Sequence, residues 1–212
     1  MPMGIYCRAL SAIVVTTIIV FGLFATEAMA EQKVLFEDRF DGKLADGWTW
    51  IKKKDGAWRL KDGSLEFRVR GQDNILAREL PASSDGPFAV EVTLTSLPQP
   101  TKQYEQGGFA WFYEGKQRFK YVKERIDGKV YVFPGKKAMS AASVQLRIEV
   151  RGEKFTALFR ADAKGKYQRA FSGSVPNKGK GKHQIAVMCY NGPGDAEHWM
   201  RFDNFRIVML AD

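Results

Sequence analysis

The chain has 212 residues, 45% of them hydrophobic, 13% aromatic and 27% charged, which is enough to build one buried core and fits a single domain. That balance excludes a long disordered chain, a collagen-like repeat and a polytopic membrane protein. The net charge of +9 favours anionic glycans, envelope polymers or lipid headgroups as partners of an exported protein. The alternative is that it serves solubility alone.

Arg8, the apolar run from Ala9 to Ala25 and the small-residue pattern Ala28-Met29-Ala30 predict a signal peptide over residues 1–30, cleaved before Glu31. An uncleaved anchor is the alternative, since the run approaches the shortest spanning helix. Cleavage places the remainder in the periplasm or the medium, with no stable membrane insertion. It removes Arg8 and Glu27 together, so the charge is unchanged, and it removes Cys7, leaving Cys189 without a disulfide partner. Within Ile185-Ala186-Val187-Met188-Cys189 that thiol reads as a core residue.

From residue 31 onward the period is two, with no sustained helical pattern. Leu65, Phe67 and Val69 alternate with polar neighbours, and so do Phe88, Val90, Val92 and Leu94. Leu146, Ile148 and Val150 are followed across Gly152-Glu153 by Phe155, Ala157 and Phe159, a hairpin pattern. Turns are expected at Lys61-Asp62-Gly63, Glu114-Gly115-Lys116, Asp127-Gly128 and Lys164-Gly165. Roughly twelve to fourteen short strands result, too many for one open sheet, so two packed sheets or a barrel are required. Leu97-Pro98-Gln99-Pro100-Thr101 and the stretch from Gly173 to Gly181 read as long loops within one domain. The lysines at 52–54, 136–137 and 178, 180 and 182 are dispersed over turns, which disfavours a nucleic-acid partner.

Several segments, in order, carry a family resemblance. They are Phe36-Glu37-Asp38-Arg39-Phe40-Asp41-Gly42, Trp48-Thr49-Trp50-Ile51, Trp58 through Leu65, Tyr104 through Phe109, Lys120-Tyr121-Val122-Lys123, Leu146 through Gly152, and Phe202 through Ile207. Together they resemble bacterial concanavalin A-like domains of the domain-of-unknown-function 1349 group, related to the C-terminal domain of β-xylosidases. The resemblance implies a two-sheet antiparallel jelly-roll sandwich over residues 31–212, with a concave face often associated with carbohydrate. It implies no catalytic site, and fold alone does not settle function.

Aromatic rings pack against the C–H faces of sugars while polar neighbours hydrogen-bond the hydroxyls. Phe109, Trp111 and Tyr113 share one face by parity with Glu105 in line, and Tyr121 and Lys123 fall on the matching face of the next strand. If that face is the concave one, Glu105, Trp111, Tyr113, Tyr121 and Lys123 form the ligand platform, rimmed by His198 and Trp199. If it is not, these side chains fill the core and Ala110 and Phe112 face outward. Parity does not choose between the two.

The expected function is an exported, noncatalytic carbohydrate-binding or envelope-interaction module, its ligand a glycan, with acidic polysaccharides among the candidates. The alternative is a polysaccharide lyase or glycoside hydrolase. Glucanases of this fold carry a Glu-x-Asp-x-x-Glu strand, absent here. Arg147-Ile148-Glu149-Val150-Arg151 resembles an alginate-lyase strand, but the accompanying lyase signatures are missing. A Gly-x-Ser-x-Gly elbow and a phosphate loop are also missing. Two histidines and the one cysteine left after cleavage disfavour zinc. No cofactor is expected; by resemblance the one candidate is a structural calcium where the first and last strands meet, at Glu37, Asp38 and Asp203, set against a turn or bulge around Asp203-Asn204.

Overall fold

In the computed structural model the described residues are Met1, 32–82 and 85–211. The expected signal peptide at 1–30 therefore lies outside them, apart from Met1. Gln32–Asp212 forms one compact unit.

Fifteen strands make up the described fold. They are β1 (Val34–Asp38), β2 (Trp48–Lys52), β3 (Trp58–Lys61), β4 (Ser64–Arg68), β5 (Ile75–Glu79), β6 (Phe88–Leu97), β7 (Gln106–Tyr113), β8 (Lys116–Ile126), β9 (Lys129–Phe133), β10 (Lys137–Ala138), β11 (Ser143–Arg151), β12 (Lys154–Arg160), β13 (Gln168–Ser174), β14 (His183–Tyr190) and β15 (Trp199–Met209). Sheet A runs β13-β12-β11-β6-β15-β4-β3, with β1 also paired to β15, and sheet B runs β10-β9-β8-β7-β14-β5-β2. Every pairing is antiparallel, and the two sheets form the expected jelly-roll sandwich. No described helix is long and apolar enough to cross a membrane.

The turns follow from their residues. Asp62-Gly63 and Asp127-Gly128 take positive φ at both positions, as a two-residue hairpin of matching twist requires, and they join β3 to β4 and β8 to β9. Gly152, φ 56°, closes the expected β11–β12 hairpin. One expected loop is shorter than its sequence suggests. Gly173 is paired with Phe155 inside β13, where a Cβ would come within 2.9 Å of the Phe155 ring, so the glycine admits the ring instead of breaking the strand.

Between the sheets lies the main core. Sheet A contributes Leu65, Phe67, Val90, Val92, Leu94, Leu146, Ile148, Val150, Phe202, Phe205 and Ile207, and sheet B contributes Leu76, Phe109, Trp111, Tyr121, Val132, Ile185 and Val187. Each such side chain, withdrawn from water, contributes about 1.5–3 kcal/mol before entropy is counted. Phe202 and Phe205 both point inward although three residues apart. The register of β15 shifts against β6 between Asp203 and Arg206, and Asn204 has φ 49°, so the break in alternation is a bulge. Cys189 is a buried free thiol of this core, its pKa pushed far up by burial.

Candidate functional site

Parity resolves toward the core for the aromatic strand. Trp111 is 1% exposed, packs on Phe155 with ring centroids 5.5 Å apart, and donates from Nε1 to His183 Nδ1 at 3.1 Å. That bond makes Nδ1 an acceptor, so Nε2 carries the proton and donates to Lys180 O at 3.0 Å. Tyr121 is fully buried, with no partner for its hydroxyl among the described residues, and burial raises its pKa. Lys123 is also fully buried; its ammonium donates to Ala141 O at 2.7 Å and Ala142 O at 2.8 Å, and desolvation lowers its pKa to about 8. None of these three offers a ligand an open face. The expected platform is therefore corrected: the strand face bearing Trp111, Tyr121, Lys123 and Glu105 is the inward one.

Of the seven expected ligand residues, the structure pairs two. His198 Nδ1 lies 2.6 Å from Glu105 Oε1, both side chains buried, while Glu105 Oε2 accepts the Thr101 and Lys102 amides at 2.7 and 3.2 Å. Both Glu105 oxygens are thus engaged within the protein, and the pair anchors the loop before β7. Tyr113, half-buried at the far end of β7, accepts a hydrogen bond from Asn177 Nδ2 at 2.6 Å. Trp199 sits on the outer face of sheet A, beneath the Arg59 guanidinium at 3.9 Å, with Nε1 donating to Glu197.

The expected calcium residues do not suit a cation. Asp38 Oδ1 accepts the Phe40 amide at 2.7 Å, and Oδ2 accepts the Ala45 amide at 2.8 Å and Trp48 Nε1 at 2.7 Å. An ion there would have to displace three donors. Glu37 faces Arg39, and Asp203 accepts its neighbour's amide, its pKa raised by burial. Among the described residues no three acidic, histidine or cysteine side chains converge as a metal site.

The outward side of the same strands carries a different arrangement. Cross-strand register places Tyr190, Gln106, Glu124 and Tyr131 in one row, Ile75, Met188, Gly108, Val122 and Phe133 in the next, and Ala77, Ala186, Ala110 and Lys120 in a third. At the centre Ala77, Ala110 and Ala186 lie with Ile75, Phe112, Val122 and Met188 in a second buried apolar cluster, and Phe133 and Tyr190, both half-buried, pack against it. Lys120 Nζ donates to Gln106 Oε1 at 2.9 Å and to both Glu124 oxygens at 3.2–3.3 Å, while Gln106 Nε2 donates to Glu124 Oε1 at 2.7 Å. The same ammonium lies 5.1 Å from the Phe133 ring and 5.9 Å from that of Tyr190. Gln106 and Glu124 are buried around it, so Lys120, one quarter exposed, is the group this cluster offers outward. All described strands belong to the two sheets, so no third described sheet covers this face.

Across the molecule, the outer face of sheet A is closed by its own charges. Arg147 is ion-paired with Glu91 and donates to Glu149 at 2.7 Å, and Glu91 also receives Arg206 at 2.7 Å. Tyr167 lies against Arg160 and Arg147, at 4.4 and 5.5 Å, with its pKa raised mainly by burial. The Arg-x-Glu-x-Arg strand thus builds a neutralised network.

Sequence reasoning missed Gln106, Lys120, Glu124, Phe133 and Tyr190. The available signal was the run of glycine and alanine at Gly108, Ala110 and Ala186, small residues where a strand otherwise carries bulk.

No protein-family model matches the chain, and no curated protein does. Solved structures do. The GH43 protein BlXynB of Bacillus licheniformis superimposes with a TM-score of 0.67 at 18% identity, over 82% of this chain and 39% of that one. A xylan β-1,4-xylosidase of Bacillus halodurans gives 0.59 at 17%, over 81% and 38%. The CBM2 module of the evolved Dit of Lactobacillus casei phage J-1 gives 0.54 at 12%, over 85% and 98%. At these identities the likeness is one of fold. The chain spans about two fifths of the two enzymes' length.

Proposed function

We propose that the chain is an exported, noncatalytic carbohydrate-binding or envelope-interaction module, periplasmic or secreted, whose ligand lies on the outer face of sheet B. The observation that carries this reading is the juxtaposition of the half-buried Phe133 and Tyr190 rings with the Lys120–Gln106–Glu124 cluster on the outer side of sheet B. Rings of that kind pack on sugar C–H faces, and an ammonium fixed between them donates to hydroxyl or ring oxygens. Fold neighbours that include a xylan β-1,4-xylosidase and a CBM2 module support a glycan ligand.

A noncatalytic role is supported by the state of the carboxylates. Glu124 is bound by Lys120 and Gln106, and Glu91 and Glu149 are both engaged by Arg147. Oxygens already occupied by these donors are not free to reach a substrate proton. Burial raises the pKa of Tyr167 and keeps its hydroxyl protonated, so it is not available as a base for proton abstraction. Titration of the secreted protein against neutral and uronate oligosaccharides, with reducing ends and unsaturated products followed in parallel, tests the reading. Binding without product is expected, and turnover would overturn it.

A further inference from the structure

Where β14 ends at Tyr190, the chain turns through Asn191, φ 64°, into Gly192, Pro193 and Gly194. This turn, together with Arg70, Gly71 and Lys102, encloses an open cavity of about 420 Å³. It has the size that a sugar residue or two fill. Its walls are fixed from behind. The Gly192 amide donates to Arg70 O at 3.0 Å, and Lys102 Nζ donates to Gly192 O at 3.2 Å. Only glycine fits at 192, because a Cβ there would stand 2.0 Å from Val69 O. The main chain of Lys102 is in turn held by the buried Glu105 carboxylate, which His198 braces from the other side.

Two cationic side chains and no carboxylate line this cavity. Arg70 is exposed and makes no ion pair or side-chain hydrogen bond among the described residues. The Asp73 carboxylate, which approaches Gly71, is already engaged by Lys54 at 3.3 Å. An unpaired guanidinium and an ammonium facing one cleft recognise an anionic oxygen group, and a planar carboxylate or a sulfate matches the guanidinium fork. The cleft also begins one residue beyond Tyr190, at the margin of the ring-bearing face.

We propose that Arg70 and Lys102 form an acidic-group subsite, taking the carboxylate of a uronate or the sulfate ester of a sulfated sugar on a glycan that lies past Tyr190. This rests on the glycan reading of the outer face of sheet B. The subsite accounts for selectivity among glycans, whereas the sheet face accounts for affinity to sugar as such.

Isothermal titration compares a galacturonate oligosaccharide with its carboxyl-reduced form, and a sulfated with a desulfated oligosaccharide, on wild type and on the Arg70→Ala, Lys102→Ala double variant. The charged form of at least one pair should bind wild type about tenfold more tightly, with the double variant losing that preference and keeping the affinity for the uncharged form. Which pair shows the preference identifies the acidic group. Equal affinities within both pairs, or a preference that survives the double substitution, would overturn the subsite. Amide shifts of Gly71, Gly192 and Gly194 under inorganic sulfate and free galacturonate test the cleft without a glycan. Saturable shifts that vanish in the double variant support the cleft even if no oligosaccharide binds, in which case the sheet-face reading alone fails. Absence of shifts with both anions overturns the subsite.

Discussion

His198 Nδ1 stands 2.6 Å from Glu105 Oε1, both side chains withdrawn from solvent and 93 residues apart in the chain. Each was expected to serve a ligand; instead each serves the other, and together they fix the loop that carries Lys102. Removing one member leaves the other buried without its partner, which costs far more than an exposed pair would.

Glu105→Ala should therefore destabilise the fold by about 3–5 kcal/mol, since it strands the imidazole and the Thr101 and Lys102 amides. Urea unfolding measures this directly. A loss under about 1 kcal/mol, the range of a surface pair, would contradict the buried geometry.

Trp111→Ala should cost a similar 3–5 kcal/mol, because the ring fills the space between the sheets and satisfies His183. Trp111→Phe keeps most of the volume but not the hydrogen bond, and should cost about 1–3 kcal/mol. A normally stable Trp111→Ala protein with weakened glycan binding would return the ring to a ligand face.

Lys123 makes stability depend on pH in a defined direction. Burial lowers its pKa from 10.5 to about 8, so between those values the unfolded chain binds the proton that the folded chain has released. Stability from this group therefore rises as pH climbs through that window. It is lowest below about pH 8, where keeping the charge buried costs on the order of 3 kcal/mol. Denaturant curves of wild type and Lys123→Met at pH 7.5 and 10 check the sign: wild type should gain relative to the variant at the higher pH. Parallel behaviour would contradict the shift.

Asp38 ties the β1 end to Trp48 and to the turn between them. Asp38→Ala removes the acceptor of three N–H groups and should destabilise by about 2–4 kcal/mol. Adding calcium or a chelator should leave the melting temperature of wild type unchanged, because those oxygens are already engaged. A calcium-dependent rise of several degrees would contradict that reading.

The all-β sandwich was legible because the strands of sheet A carry apolar side chains on the core face and mostly polar ones on the other. Along β6 and β11, Val90, Val92, Leu94 and Leu146, Ile148, Val150 alternate with polar residues, and Asp-Gly turns mark the hairpins. The site was not legible because the central strands of sheet B are apolar on both faces. In β7 the run Phe109, Ala110, Trp111, Phe112 offers no polar residue to mark which side is out, and β14 repeats the ambiguity from Ile185 to Cys189. Large rings read as binding groups, whereas the packing places Trp111 between the sheets and leaves Ala110 and Phe112 on the outer side. Lys120 and Glu124 share a face only because β8 runs straight between its register shift and its end, and their partner Gln106 comes from the neighbouring strand. That pairing is tertiary information.

The central claim, that the outer face of sheet B binds glycan, is tested most directly by titrating one oligosaccharide that wild type binds against Tyr190→Ala and Phe133→Ala. Thermal melts of each protein are run alongside. Both rings are half-buried, so the variants should keep their melting temperatures within a few degrees while affinity falls by about tenfold or more, the loss expected for one aromatic stacking contact. Unchanged affinity in both stable variants, or no binding of any glycan to wild type across neutral and acidic panels, would contradict the account.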